Sequence, residues 1–171
     1  MASATLPPTP DRRSRQLAPS LVVVHYTLPY STSGVTERSY NGTGLVVDAA
    51  RGLVLVDRNT VPVALGDARL VFGGAVEVPA RVLYVHPLHN LALLAYDPAA
   101  IGATPVRSAA LRARELRPGE AVWVVGLRVD GRVATQETRV AAIEPAQFPP
   151  SRSLQFREAN QDLVQIGRAH V

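Results

Sequence analysis

The residues able to carry proton transfer, metal ligation or nucleophilic attack in this 171-residue chain are few, and their settings are poor. There is no cysteine, so thiolate nucleophiles, thiolate zinc ligands and disulfides are excluded. Histidines stand at 25, 86, 89 and 170. His25 lies inside the apolar run Leu21–Tyr26, where a lone histidine is expected to be a half-buried packing residue. His86-x-x-His89 has the look of half a metal site, but Pro87 disfavours the helix that would put both rings on one face, and no carboxylate lies close in sequence. A His-rich turn is the better reading, and neither a metal nor a cofactor is expected. Gly42-Thr43-Gly44 is not a phosphate loop: no Gly-Lys-Ser/Thr follows, and the next element reads as a strand, so no helix N-terminus is available to an anion. Trp123 with Tyr26, Tyr30, Tyr40, Tyr84 and Tyr96 are aromatics in strand contexts, read as core rather than as base-stacking platforms.

The scaffold that positions these residues is legible in the apolar patterning. From Gly42 to Val61, two Val- and Leu-rich runs, each too short for a typical helix, flank the polar connection Asp48-Ala49-Ala50-Arg51-Gly52. That is the pattern of a β-hairpin with both strands largely buried. Leu21–Tyr26 is a β-branched strand, and residues 30–40 form a Ser/Thr/Gly-rich connection. Further strands are expected at Arg69–Phe72, at Val76–Val85 beyond the Gly73-Gly74 turn, and at Leu91–Tyr96. Six short strands with no amphipathic helix between them predict a closed barrel or sandwich rather than a parallel sheet. From Pro98 to Arg117 the texture changes, with one helix-capable piece at Ala109–Leu116, as at a crossing between two halves. Strands resume at Ala121–Leu127, turn over Asp130-Gly131 and return through Thr135–Ile143; residues 154–165 supply another. Three strands are too few to close a barrel matching the first.

Composition agrees with a soluble globular chain: 47% hydrophobic and 19% charged residues can build a substantial core, and no apolar stretch reaches the length of a membrane helix. The N-terminus lacks the apolar core of a secretory signal, and the missing cysteines fit a reducing compartment, so an intracellular place is favoured without a compartment being specified. All 18 basic residues are arginine, and the formal charge is +4. Apart from Arg12, Arg13, Arg15 and Arg112, Arg114, Arg117 they are scattered, which reads as solvated surface rather than a nucleic-acid footprint. Residues 1–19, with four prolines and no apolar periodicity, are expected to be a flexible linker, its Arg12-Arg13-Ser14-Arg15 run a solvated segment more readily than a nuclear address. Ile166-Gly167-Arg168-Ala169-His170-Val171 is what one reading frame of a widely used sequencing adapter encodes. It is expected to be non-native, with the natural chain continuing past Gln165.

The run from Gly42-Thr43-Gly44 through Val46-Val47-Asp48 to Gly52-Leu53-Val54-Leu55 resembles the first-barrel hairpin of the Deg/HtrA branch of chymotrypsin-like serine proteases, which leads straight into the catalytic histidine. Here that position is Asn59. His86-Pro87-Leu88-His89-Asn90-Leu91-Ala92-Leu93-Leu94 resembles the segment bearing the catalytic aspartate, and that position is Asn90. A carboxamide cannot accept the nucleophile's proton near neutral pH and return it to the leaving amine. A nucleophile is also missing: after Asn90 the only serines are Ser108, Ser151 and Ser153, none in a Gly-x-Ser-Gly turn. The resemblance therefore implies an inherited fold and a lost reaction, with no catalytic residue in this chain.

Three blocks together, Val56–Asp67, His86–Ala92 and Leu116–Leu127, look like the second, degenerate protease-like domain of the long tandem-protease, multi-PDZ members of that family. This implies an all-β, trypsin-like double β-barrel with its second barrel incomplete: a first barrel over 20–97, and a crossover and partial second barrel over 98–165. It also implies other domains on the same chain, an active protease domain and PDZ modules, with a structural or regulatory role in protein quality control. Two further readings are an active serine endopeptidase acting through a domain elsewhere in the intact chain, and a module binding unfolded peptides in the old cleft. A homo-oligomer is compatible with these readings. Asn59 and Asn90 are expected to face each other at the rim of the first barrel, and residues 1–19 and 166–171 to pack against nothing.

Overall fold

Alternation of apolar and polar residues dictates most of the strands. In β4 (Asp67–Phe72) Ala68, Leu70 and Phe72 are buried while Asp67 and Arg69 face water, and in β5 (Val76–Val85) Val76 and Val78 point the same way as that set. This period of two places one face of each strand inward. With β1 (Leu21–Thr27), β2 (Ser39–Asp48), β3 (Leu53–Val56) and β6 (Ala92–Tyr96) these strands close an antiparallel barrel in the order β1-β2-β3-β6-β5-β4. The computed structural model describes residues 4, 11–30, 37–128, 130–145 and 162–167. Closure removes the open edges of this six-stranded sheet. Val22, Val24, Val46, Val54, Leu70 and Leu94, all fully buried, fill the barrel.

β1 is buried on both faces, since Leu21 and Val23 are buried as well as Val22 and Val24. Its outer face is covered by the second half of the chain, where β7 (Ala121–Leu127), β8 (Val133–Pro145) and β9 (Asp162–Ile166) form a three-stranded antiparallel sheet. Leu21 lines a small void with Ala18, Leu127 and Val133, and the Thr43 hydroxyl accepts the Leu127 N–H at 3.3 Å. The crossing segment is pinned rather than loose: the N–H groups of Arg107 and Ala109 donate to the carbonyls of Pro19 and Val46 at 3.0 and 2.8 Å, and Ser108 Oγ accepts from Ala49 N at 2.9 Å. These bonds tie residues 107–109 to Pro19 and to β2, and the helix-capable piece Ala109–Leu116 forms no helix.

The N-terminal stretch departs from the expected loose linker in its described part. Asp11 caps a short helix, α1 (Arg12–Leu17), by accepting from the N–H groups of Arg13 and Ser14, and a 3₁₀ turn over Ala18–Ser20 buries all three of its residues. Ala4 is buried too, its N–H donating to Thr104 Oγ1 at 3.1 Å. At the other end Ile166 belongs to β9 and Gly167 N donates to Arg139 O at 2.9 Å, so the described part of that tail packs as well. The rest of both segments, and residues 154–161 of the expected last strand, lie outside the described residues.

Candidate functional site

The turn after β3 is built by one side chain. Asp57 accepts from the N–H groups of Asn59 and Thr60 at 2.8 and 3.0 Å with one oxygen, and from the Thr60 hydroxyl at 2.9 Å with the other. Its carboxylate is thereby spent on the backbone rather than offered to a substrate. Thr60, buried by this arrangement, fits only because residue 42 is glycine: a Cβ there would lie 2.0 Å from the threonine hydroxyl. Gly44 is likewise a packing glycine, its missing Cβ leaving room for Val54, Val24 and Val22. Both sit in β2, in a strand and not in a phosphate-cradling loop.

A second turn, 86–91, joins β5 to β6 opposite the first. His86 N donates to Leu91 O at 2.9 Å, and His86 Nδ1 accepts from the N–H groups of Leu88 and His89 at 3.2 and 2.9 Å. As an acceptor that nitrogen carries no proton, so the ring serves as a turn brace. The His89 ring lies 4.5 Å from it, centroid to centroid, and among the described residues no group of three His, Cys, Asp or Glu side chains could hold a metal.

The two turns are tied together. Asn90 Oδ1 accepts the N–H of Arg58, the residue before Asn59, at 2.9 Å. Arg58 itself is only 9% exposed, and its guanidinium donates to the carbonyls of His86 at 2.6 Å, Pro87 at 3.2 Å and Pro62 at 3.4 Å. Asn90, half-buried, thus bonds the backbone of the residue before Asn59, whose own side chain is exposed. An arginine joins their turns. Arg58 is the residue of this region missed in the sequence, where the arginines read as solvated surface. The available signal was its place between Asp57 and Asn59, in a turn with two fixed neighbours.

The remaining candidates lie elsewhere. His25 is on the outer side of β1, bonded through Nδ1 to Asn41 Oδ1 of the neighbouring strand. Ser108 is held by the backbone of Ala49, and Ser151 and Ser153 lie outside the described residues. Tyr26 and Tyr96 are core residues, whereas Tyr30 and Tyr84 are exposed. Tyr26 donates its hydroxyl to Val63 O at 2.7 Å, and burial with the Tyr40 and Asp67 charges pushes its pKa up to about 12. Trp123 is half-buried in the second sheet under the guanidinium of Arg13.

No family profile matches the chain. It is 34% identical over 152 residues to the pro-apoptotic serine protease NMA111 of Pyricularia oryzae, covering 88% of this chain and 15% of that one, and 33% identical over 157 residues to NMA111 of Yarrowia lipolytica. A PDZ domain-containing protein of Schizosaccharomyces pombe is 32% identical over 145 residues, again with 15% of its length covered. The chain therefore spans about a seventh of the curated relatives it matches. Among solved structures, the HtrA-type protease AlgW with a bound tripeptide superposes with a TM-score of 0.60 over 85% of this chain and 44% of AlgW, at 16% identity. No helix among the described residues is long and apolar enough to cross a membrane. On its barrel fold and its sequence relatives, the chain belongs to the Deg/HtrA family of trypsin-like serine proteases.

Proposed function

We propose that this is a non-catalytic protease-fold domain, serving a structural, regulatory or peptide-binding role within a larger Deg/HtrA-like protease. The observation that carries this is the Arg58 clamp. At the two positions matching the family's histidine and aspartate stand Asn59 and Asn90, and the amide oxygen of Asn90 is committed to the Arg58 N–H. Neither carboxamide can shuttle a proton, and the surrounding polar groups are occupied in holding the two turns together. The domain limits 20–97 and 98–165, an active protease domain elsewhere on the chain, PDZ modules as neighbours, unfolded peptides as ligands and a place in protein quality control all belong to this reading. The PDZ expectation is supported by the name of the fission-yeast relative. A second reading, an endopeptidase acting through another domain of the intact chain, is favoured by the name of the NMA111 relatives.

The test is hydrolysis of casein and of fluorogenic peptides by the purified chain, alone and as Asn59→His with Asn90→Asp. Neither protein is expected to cleave, because triad members act as a unit and partial repair returns little. Cleavage abolished by a serine-directed inhibitor overturns the reading.

A further inference from the structure

The Arg12-Arg13-Ser14-Arg15 run is the sequence feature that the protease fold leaves unexplained, and the structure gives it a setting. Ser14 is completely buried although Arg12, Arg13 and Arg15 around it are exposed. Its hydroxyl donates to Asp11 Oδ2 at 2.5 Å and is in hydrogen-bond contact with Thr135 Oγ1 of β8. With its own proton given to Asp11, Ser14 Oγ receives the proton of Thr135, so a relay runs from β8 through Ser14 to the helix cap. One residue earlier, the Arg13 guanidinium lies 4.1 Å from the centre of the Trp123 ring in β7. Trp123, Val125 and Thr135 share one face of the second sheet, since Val125 is paired with Thr135 and Trp123 with Glu137. α1 thus fastens the N-terminal stretch to that face by one hydroxyl relay and one cation–π contact.

We propose that Ser14 is a phosphoacceptor for a basophilic serine kinase, and that its phosphorylation unlatches α1 from the second sheet. The recognition chemistry is the arginine cluster, which offers cations on both sides of one hydroxyl to an acidic kinase groove. Access comes from local opening: a helix of six residues is far below the length at which an isolated helix is stable, and α1 touches β8 at few points. In the transfer, Ser14 Oγ attacks the γ-phosphorus of ATP. The Oγ–P bond forms as the bond to the ADP oxygen breaks, and the hydroxyl proton passes to the kinase's base. The product cannot reseat. Three phosphate oxygens and about two negative charges have no room at a fully buried position, and the Asp11 carboxylate bonded to the hydroxyl would repel them. The relay also loses the donor that Asp11 relied on. Release of α1 then bares the Trp123 face, giving a site upstream of the barrel control over a surface on the second half.

Trp123 is the only tryptophan, so its emission reports the latch directly. The purified chain is treated with a basophilic kinase and ATP, the site is mapped by peptide mass spectrometry, and Trp123 emission, acrylamide quenching and far-UV circular dichroism are recorded. The expected result is phosphate on Ser14, a red-shifted and more readily quenched Trp123, and an unchanged β signal. Ser14→Glu should show the same shift without kinase. Ser14→Ala, which keeps both backbone bonds to the Asp11 cap, should take no phosphate at this site and stay closer to the unmodified spectrum than Ser14→Glu does. The proposal is overturned if residues 8–20 as a free peptide are phosphorylated while the folded chain is not. It is equally overturned if phosphate on Ser14 leaves Trp123 unmoved, or if Ser14→Glu loses the barrel signal together with the latch.

Discussion

Replacing Arg58 tests the clamp that joins the two turns. The guanidinium is nearly buried and donates to three carbonyls, those of His86, Pro87 and Pro62. Hydrogen bonds to a charged group contribute about 1.5–3 kcal/mol each when buried, but Pro87 is exposed and His86 half-buried, so water takes over part of their bonding in the variant. The 3.4 Å bond to Pro62 O is the weakest in geometry and the deepest in location. Arg58→Met keeps the apolar stem packed and removes only the bonding head, and its expected cost is about 2–4 kcal/mol. In a domain of this size that corresponds to a drop in Tm of about 5–15 °C. Arg58→Lys keeps the charge but not the planar fork that spans both turns, and should fall between the two proteins. Urea unfolding followed by far-UV circular dichroism measures the loss, and hydrogen exchange at Leu88, His89 and Leu91 localises it. An Arg58→Met protein within about 0.5 kcal/mol of the parent, with those amides unchanged, would refute the clamp.

Three other outcomes follow from the structure. Gly52 has φ +68° and its absent Cβ would lie 2.1 Å from the Tyr96 carbonyl oxygen, so Gly52→Ala should destabilise by about 1–3 kcal/mol in the same urea assay. Tyr26, its pKa raised from 10.0 to about 12 by burial, favours folding below pH 10 and loses that contribution as pH climbs through 12; ultraviolet titration should show one phenol ionising late, and Tyr26→Phe should lose about 1–2 kcal/mol by stranding Val63 O. The Asp11 carboxyl is held below its ordinary 3.8, first by the Ser14 hydroxyl and next by the Ser14 N–H, so its contribution is complete above pH 3.8 and fades as pH falls through the lower folded value. Trp123 emission should therefore stay constant down to about pH 4 and shift only below it.

Period-two alternation and glycine turns are local signals, and they determined the strands, leaving barrel or sandwich open: the six expected from Leu21 to Tyr96 are the six that close. That the carboxamides of Asn59 and Asn90 cannot themselves relay a proton was likewise legible, because an amide is inert in that role wherever it stands. What the tertiary structure decided depends on partners far away in sequence. Arg58 looked like one more solvated arginine, and only the approach of residues 86 and 87 supplies the carbonyls that make burying it tolerable. Residues 109–116 have helix-forming composition yet form no helix, because a propensity of a few tenths of a kcal/mol per residue does not by itself stabilise so short a segment. Ser14 lies in a segment with no apolar face, so nothing local predicts its burial; Thr135, 121 residues away, provides the partner. A side chain's exposure is fixed by what folds back onto it, and for these residues that information is carried by another part of the chain.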